Sequence, residues 1–356
     1  MAIEFRRVAP LDVRDGVVDL FWRLRSWPWP DKNDCYRYWD WRYTSLSDDT
    51  PVVWVATDGG KVVGHIALYR RHFRIGEMDV NGGVPGNFLV DPDYRSTPIG
   101  PRLASAPRAM LRSGEVDAIF GYGNKAAHAM FVRLGFRDLG AMELFADVRR
   151  WGPALARRIP GGAVLAPFAS AVHTIRRAAR GARPPRDIAG LEARFLSADE
   201  TAGIDRTHWI RSPDALVASD TSRYLADRYL RNPFRQRQVI GLIDQGTGLA
   251  EAYVVVEGDR RVKVIDCQVN EERMSEPEAV GMAIRAIPDA ETVLVPLLPQ
   301  TDLAAAFLAA GYMRRATNDF VEGNTWWCAQ WSPSSPAAQC LERVNRWKLW
   351  FGWNHH

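Results

Sequence analysis

Long apolar runs are missing from this chain: nowhere do the roughly 18 uninterrupted apolar residues of a membrane span occur. The opening residues, MAIEFRRVAPLD, hold no apolar core of the kind that directs export. Both absences lead to the expectation of a cytoplasmic protein. Cysteine is scarce, and Cys35, Cys267, Cys328 and Cys340 lie far apart without a C-x-x-C pair. That spacing excludes a zinc framework and a disulfide scaffold, and predicts reduced, mostly buried thiols and no metal. His355 and His356 close the chain and are assigned no metal. Acidic residues are absent from Arg149 to Arg186, where nine arginines occur. Such a stretch is either a solvated linker or a patch that attracts nucleic acid, anionic lipid or a phosphorylated ligand.

What is present is globular: 356 residues, 47% hydrophobic and 25% charged, enough for two ordinary domains. The stretch from Asn87 to Phe136 organises the rest. NFLVDPDYR reads as a strand ending in a turn, and STPIGPRLASAPRAMLRSG as a helix after a short loop carrying Gly100. DAIFGYG is a second apolar strand, followed by Asn124 and the helix NKAAHAMFVRLGF. This is a βαβα unit with a parallel strand pair, and a right-handed crossover sets both helix N-termini at one sheet edge. Backbone N–H groups there can hold an anion.

Arg95, Pro98 and Gly100 stand in the pattern Q/R-x-x-G-x-G/A, and Asn124, Ala127, Phe131, Arg133, Gly135 and Phe136 in N-x-x-A-x-x-x-Y-x-K-x-G-F. With these two motifs in order the chain resembles the GNAT superfamily of acyl-CoA-dependent N-acyltransferases. The resemblance implies an α/β (α+β) fold whose mixed, mostly antiparallel sheet is flanked by helices. It also implies acetyl-CoA or another acyl-CoA as co-substrate, and direct attack by an amine. The layout looks like GNAT proteins of bacterial surface-polysaccharide pathways, which implies an amino-sugar or similar small acceptor and no DNA. Transfer from aminoacyl-tRNA, as in the tandem-fold ligases of peptidoglycan bridges, is a second enzymatic option. A non-catalytic acyl-CoA sensor or scaffold is the competing class.

The second half repeats the first. RYxxxRY occurs at Arg37 to Tyr43 and again at Arg223 to Tyr229, each time before a strand–turn–strand. LAAAFLAAGY, ending at Tyr312, echoes AHAMFVRLGF, ending at Phe136. Two GNAT-like domains in tandem are therefore expected: residues 1–150 with the acyl-CoA site, a basic linker over 151–190, a degenerate second domain over 191–333, and a Trp-rich C-terminal helix over 334–356. VNEERMSEPEA replaces the Gly-rich turn in the second copy, and its glutamates should repel a pyrophosphate. The strand after Phe136 is expected to complete the first domain. Ala163 to Arg180 reads as a helix with one apolar face, packed between domains or lying on a membrane surface. The C-terminal helix is expected to pack on the body, with membrane contact or a homodimer as alternatives.

Residue roles follow from the resemblance. The loop Arg95, Ser96, Thr97, Pro98, Ile99, Gly100 would meet the pyrophosphate, with Pro98 unable to donate a hydrogen bond. Phe88, Leu89 and Val90 would pair with the pantetheine like an added strand, the Val90 N–H polarising the thioester carbonyl. Asn124 would touch the pantetheine or simply cap its helix. Phe131 stands where the family often has a tyrosine acid, so Tyr122 and His128 are the nearby substitutes, with Tyr94 weaker. His65 is the candidate base. Asn87, Trp39 and Trp41 are the expected acceptor contacts, whereas the recurrence of Arg42 and Tyr43 in both repeats suggests a structural role for them.

Overall fold

The computed structural model describes residues 3–46, 50–156, 160, 162–179, 188–209, 212–315, 325–348 and 350. Arg157, Arg158, Arg180, Arg183 and Arg186 of the basic stretch, and the terminal His355 and His356, lie outside them. Fifteen strands among the described residues build two sheets. In chain order they are β1 (Glu4–Val8), β2 (Val52–Asp58), β3 (Lys61–Ile75), β4 (Met78–Val90), β5 (Ala118–Gly123), β6 (Arg137–Ala141) and β7 (Glu143–Val148). The second half adds β8 (Leu191–Leu196), β9 (Leu216–Ala218), β10 (Gln238–Asp244), β11 (Ala250–Glu257), β12 (Arg261–Val269), β13 (Thr292–Leu297), β14 (Met313–Arg315) and β15 (Trp326–Trp331).

One sheet runs β1-β2-β3-β4-β5-β15-β6 with β9 on the far end of β3, and the other β14-β7-β13-β12-β11-β10-β8. The first sheet therefore takes β9 and β15 from the second half of the chain, and the second sheet takes β7 from the first. β15 lies antiparallel between β5 and β6, from Trp326 beside Gly123 to Trp331 beside Ala118. β7 lies antiparallel between β13 and β14, from Glu143 beside Leu297 to Val148 beside Thr292. The expectation that β7 completes the first domain is corrected: it alternates like any half-buried strand, and the long-range pairing that chooses its sheet leaves no local signal. The apolar WWCAQW suits an interior strand buried on both faces. Gly121 makes room for it, since a Cβ there would come within 2.9 Å of the Cys328 Sγ. One hydrophobic cluster joins Phe73, Phe120 and Trp327 of the first sheet to Val254, Val295 and Leu297 of the second, so the halves share a core.

The helices largely follow the sequence pattern. Arg14–Arg23 and Lys32–Asp40 cover one face of the first sheet, and the latter continues as a π-helical turn, Trp41–Ser45. The helix expected after Gly100 is two, Ile99–Ser105 and Arg108–Ser113, broken where Pro107 removes an N–H. Asn124 caps Lys125–Arg133 by accepting the Ala127 N–H at 3.0 Å. Ala166–Ala179 is helical as expected, and Phe168 and Ile175 on it are 73% and 66% exposed. Among the described residues no helix is long and apolar enough to cross a membrane.

The C-terminal segment is not one helix. Ala338–Leu341 forms a short helix, Val344–Arg346 a single 3-10 turn, and Trp347 is extended and bridges Leu216. Trp347 and Trp350 are buried in the shared core, so tertiary pairing overrides the helical spacing.

Candidate active site

β4 and β5 run parallel only at Gly82 beside Ala118 and Gly83 beside Ile119. Both glycines are needed there, because a Cβ would strike the Phe73 ring at 2.2 Å or Leu68 at 2.8 Å. Beyond them the strands have no further paired positions, and β4 carries a bulge. His65 faces Leu89 but Ala67 faces Gly86, leaving Asn87 and Phe88 opposite Ile66. Asn87 takes up the left-handed conformation (φ 50°), which asparagine tolerates better than most residues. Its side-chain amide donates to the hydroxyls of Tyr43 and Tyr69, each at 2.9 Å.

A cavity of about 390 Å³ opens from this divergence. Its first wall is Pro85 to Leu89 of β4 with Tyr122, Gly123, Asn124, Ala127 and Phe131. Opposite stands an aromatic wall in which Trp27 stacks on Phe21 at 4.3 Å and packs on Tyr38 at 4.9 Å. The second half of the chain closes the end, with Trp29 against Phe234 at 4.2 Å and the Trp41 indole N–H donating to the Asp227 carbonyl at 3.2 Å. Arg42, Arg228, Arg235 and Arg237 also line the cavity, and among the described residues no Asp or Glu does.

Of the predicted residues, Asn87, Phe88, Leu89, Trp41, Tyr122, Asn124 and Phe131 converge on this cavity. Val90 instead packs into the hydrophobic cluster with Ile99. Arg95 and Ser96 are exposed in the loop that follows, where Gly100 faces Val90 and Phe88. Thr97 stays within that loop, its hydroxyl donating to the Tyr94 carbonyl at 2.6 Å. Pro98 and Pro101 have no N–H and the Ile99 N–H donates to Thr97 Oγ1 at 3.4 Å, which leaves those of Ser96 and Gly100 for an anion at this helix start. Tyr94 is held away by its hydrogen bond to Asp58 at 2.7 Å.

Three predicted site residues are corrected by their surroundings. Trp39 is fully buried, stacked on Tyr43 at 3.7 Å, and belongs to the core rather than to the acceptor wall. His128 points to β6, its Nε2 within 3.0 Å of Asp138 Oδ1, because its helix turns that face away from the cavity. His65 lies beneath the cavity among Phe21, Trp39 and Tyr43. Its Nδ1–H donates to the Asn87 carbonyl at 2.7 Å, and Nε2 has no hydrogen-bond partner. Burial pushes its pKa down to about 4, against a small opposing effect of that carbonyl, so it stays neutral and braces the bulge.

His65 also links stability to pH. The unfolded imidazole binds a proton near pH 6.5 and the folded one near 4, so nothing is lost above 6.5 and stability falls as pH drops from there to about 4. In His65→Gln the loss of unfolding free energy between pH 7 and 4.5 should be about 2–3 kcal/mol smaller than in the parent, measured by urea unfolding. An unchanged loss would show that the imidazole is hydrated.

The equivalent place in the second half is filled. Trp350 lies with Cys267, Gln268 and Val269 around a residual cavity of about 10 Å³, and rests against Phe307, the counterpart of Phe131. Lys348 bonds Glu271 at 2.7 Å and also Glu276. Two of the glutamates expected to repel a pyrophosphate, Glu271 and Glu276, are thus paired with the tail (Glu278 closes a capping box with Ser275). Thr301 caps the helix corresponding to Lys125–Arg133.

Sequence reasoning missed Trp27 and Trp29, whose WPWP context reads as a helix break, and Tyr38 on the Lys32–Asp40 helix that follows. It also missed the arginines of RNPFRQR, which reach the first domain's cavity from the second half.

Two sheets of one topology, each with a diverging parallel pair at its centre, define the class as a tandem acyltransferase fold. The family model for the Acetyltransferase (GNAT) family matches residues 14–136, a stretch that lies within the first domain. Solved structures agree in fold. A conserved protein from Enterococcus faecalis V583, described as a probable N-acyltransferase, aligns with TM-score 0.60 and 8% identity over 93% of this chain and 73% of its own. Eis1 from Mycobacterium abscessus aligns with TM-score 0.56 and 13% identity over 95% and 76%. A GCN5-related N-acetyltransferase from Kribbella flavida gives 0.54 and 12% over 93% and 71%. No curated protein matches the chain in sequence.

Proposed function

We propose that the first domain moves an acyl group from acetyl-CoA, or a related acyl-CoA, to the amine of a small molecule held in the cavity. The observation that carries this reading is the cavity itself. It begins at the divergence of β4 and β5, where unpaired strand edges can accept the pantetheine amides, and ends at a wall supplied by the second half. Acetyl-CoA, when bound, supplies the activated acyl group. Ser96 and Gly100 would hold its phosphates, and the β4 edge from Phe88 to Val90 its pantetheine. Tyr122, on the cavity wall, carries a hydroxyl able to give a proton to a departing thiolate. The tail-filled site makes the second half a wall of the acceptor cleft and not a second cofactor site.

Calorimetry with acetyl-CoA, followed by CoA release over a panel of amines, tests this reading. One acetyl-CoA per chain and turnover of at least one small amine are expected. No binding up to about 1 mM, equivalent to roughly 4 kcal/mol, would remove the proposed site. Binding without turnover of any amine would favour a non-catalytic acyl-CoA protein.

A further inference from the structure

Arg42 is 1% exposed, yet it lines the cavity. Its guanidinium lies over the Tyr69 ring at 3.9 Å from the centroid, and Nε and Nη2 have no hydrogen-bond partner among the described residues. Among the described residues no carboxylate pairs with it, and the titratable groups that act on it are Tyr69, Tyr38, Tyr224 and Tyr122, all uncharged phenols near neutral pH. Burying a guanidinium without a counter-charge is strongly unfavourable. A chain that keeps one at a cavity wall leaves the counter-charge to a ligand.

The second repeat supplies the comparison. Arg228 occupies the position of Arg42 in RYxxxRY, and is 2% exposed. There Asp266 stands where the first repeat has Asn87: Tyr229 donates to Asp266 at 2.8 Å, just as Asn87 bonds Tyr43 at 2.9 Å. Burial raises the Asp266 pKa, and the charge of Arg228 acts against that rise. The first repeat has an amide at that place, and Arg42 is left with no acid. Around it the cavity is also lined by Arg228, Arg235 and Arg237, the last two bonded to Glu257 at 3.4 and 3.0 Å. The phosphates of CoA do not meet this need, because their loop follows Val90 whereas Tyr69, beneath Arg42, is bonded to Asn87 at the bulge.

We propose that the acceptor carries an anionic group, a carboxylate or a phosphate, in addition to its amine, and that Arg42 binds it. This deepens the acyltransferase reading of the same cavity and rests on it. Guanidinium geometry suits a two-pronged bond to either anion. The same field disfavours an ammonium, so it favours the neutral, nucleophilic form of the acceptor amine and turns away polycations. Transfer then forms the C–N bond and breaks the C–S bond, with the amine proton leaving to solvent and the thiolate protonated on release.

Matched pairs test this on the full chain: phenylalanine against phenylalaninamide, glucosamine 6-phosphate against glucosamine, with spermidine as the polycation. Binding is read by calorimetry in the presence of CoA, which prevents turnover, and activity by CoA release from acetyl-CoA. In at least one pair the anionic member should bind about tenfold tighter or more, and which pair responds separates carboxylate from phosphate. Arg42→Met should abolish that preference, leaving acetyl-CoA affinity within about twofold. Equal binding within both pairs, no binding of any member up to about 10 mM, or preferred binding of spermidine overturns the inference. The preference is read on the unmodified chain, so the answer does not depend on the variant folding. Loss of acetyl-CoA binding itself would strike the acyltransferase reading instead.

Discussion

Glutamate in place of Gly100 is expected to weaken acetyl-CoA binding by about a hundredfold or more while leaving the fold intact. A Cβ at Gly100 would lie 3.9 Å from Val90 and 4.0 Å from Phe88, ordinary van der Waals contact. Its φ lies outside the left-handed region, so the backbone accepts a side chain. Gly100 is in the first turn of Ile99–Ser105, where a carboxylate suits the helix dipole and should not lower stability. The penalty falls on the ligand: a fixed negative charge would stand where the phosphates must approach. Like charges about 4 Å apart repel by up to roughly 4 kcal/mol near a protein surface. Calorimetry with parent and variant side by side reads the result, with melting temperature as the control. Equal affinities would place the phosphates away from this loop.

The largest loss of stability is expected from Asp220→Ala. Arg71 on β3 and Asp220, ahead of the Ser222–Tyr229 helix, join the two halves through a pair with side-chain exposures of 0% and 3%. The Arg71 Nε donates to Asp220 at 2.9 and 3.0 Å, and the His72 backbone N–H adds a further bond at 3.3 Å. Removing the acid would take this carboxylate away from a buried guanidinium, at a cost of about 3–5 kcal/mol. Burial alone would raise the Asp220 pKa, but Arg71 overcomes it and holds the carboxyl below its usual range. The pair therefore contributes fully above about pH 4 and is lost as pH falls through the lowered value. Urea unfolding followed by tryptophan fluorescence measures it, and Arg71→Met with Asp220→Leu should recover most of the loss. A loss below about 1 kcal/mol in the single variant would show that the pair is solvated.

The two cases illustrate what local sequence carries. Gly100 and Asn124 were legible because a strand, a turn and a helix start leave short-range marks. The pairing of β7 and β15 was not, since an alternating strand reads the same whichever sheet it joins. Trp347 and Trp350 sat in a helical pattern, yet their rings found the shared core and the backbone extended to reach it. Arg42 was harder still. Its recurrence as Arg228 suggested a common structural part, and only the contrast between Asn87 and Asp266 separates the two. That contrast is present in the sequence, but it shows only once the bulge has brought each residue under its own tyrosine.

The exchange of β7 and β15 has a consequence for the life of the chain before it is complete. β5 gains its neighbour β15 only when a segment about two hundred residues further along has been made. During synthesis the first sheet thus waits on the ribosome with its central edge open, and β7 emerges well before β13 and β14 exist to receive it. Closing both sheets is a late and joint event that neither half can reach alone. A fragment ending near residue 150 should accordingly behave as a sticky, unfinished sheet rather than as a smaller enzyme.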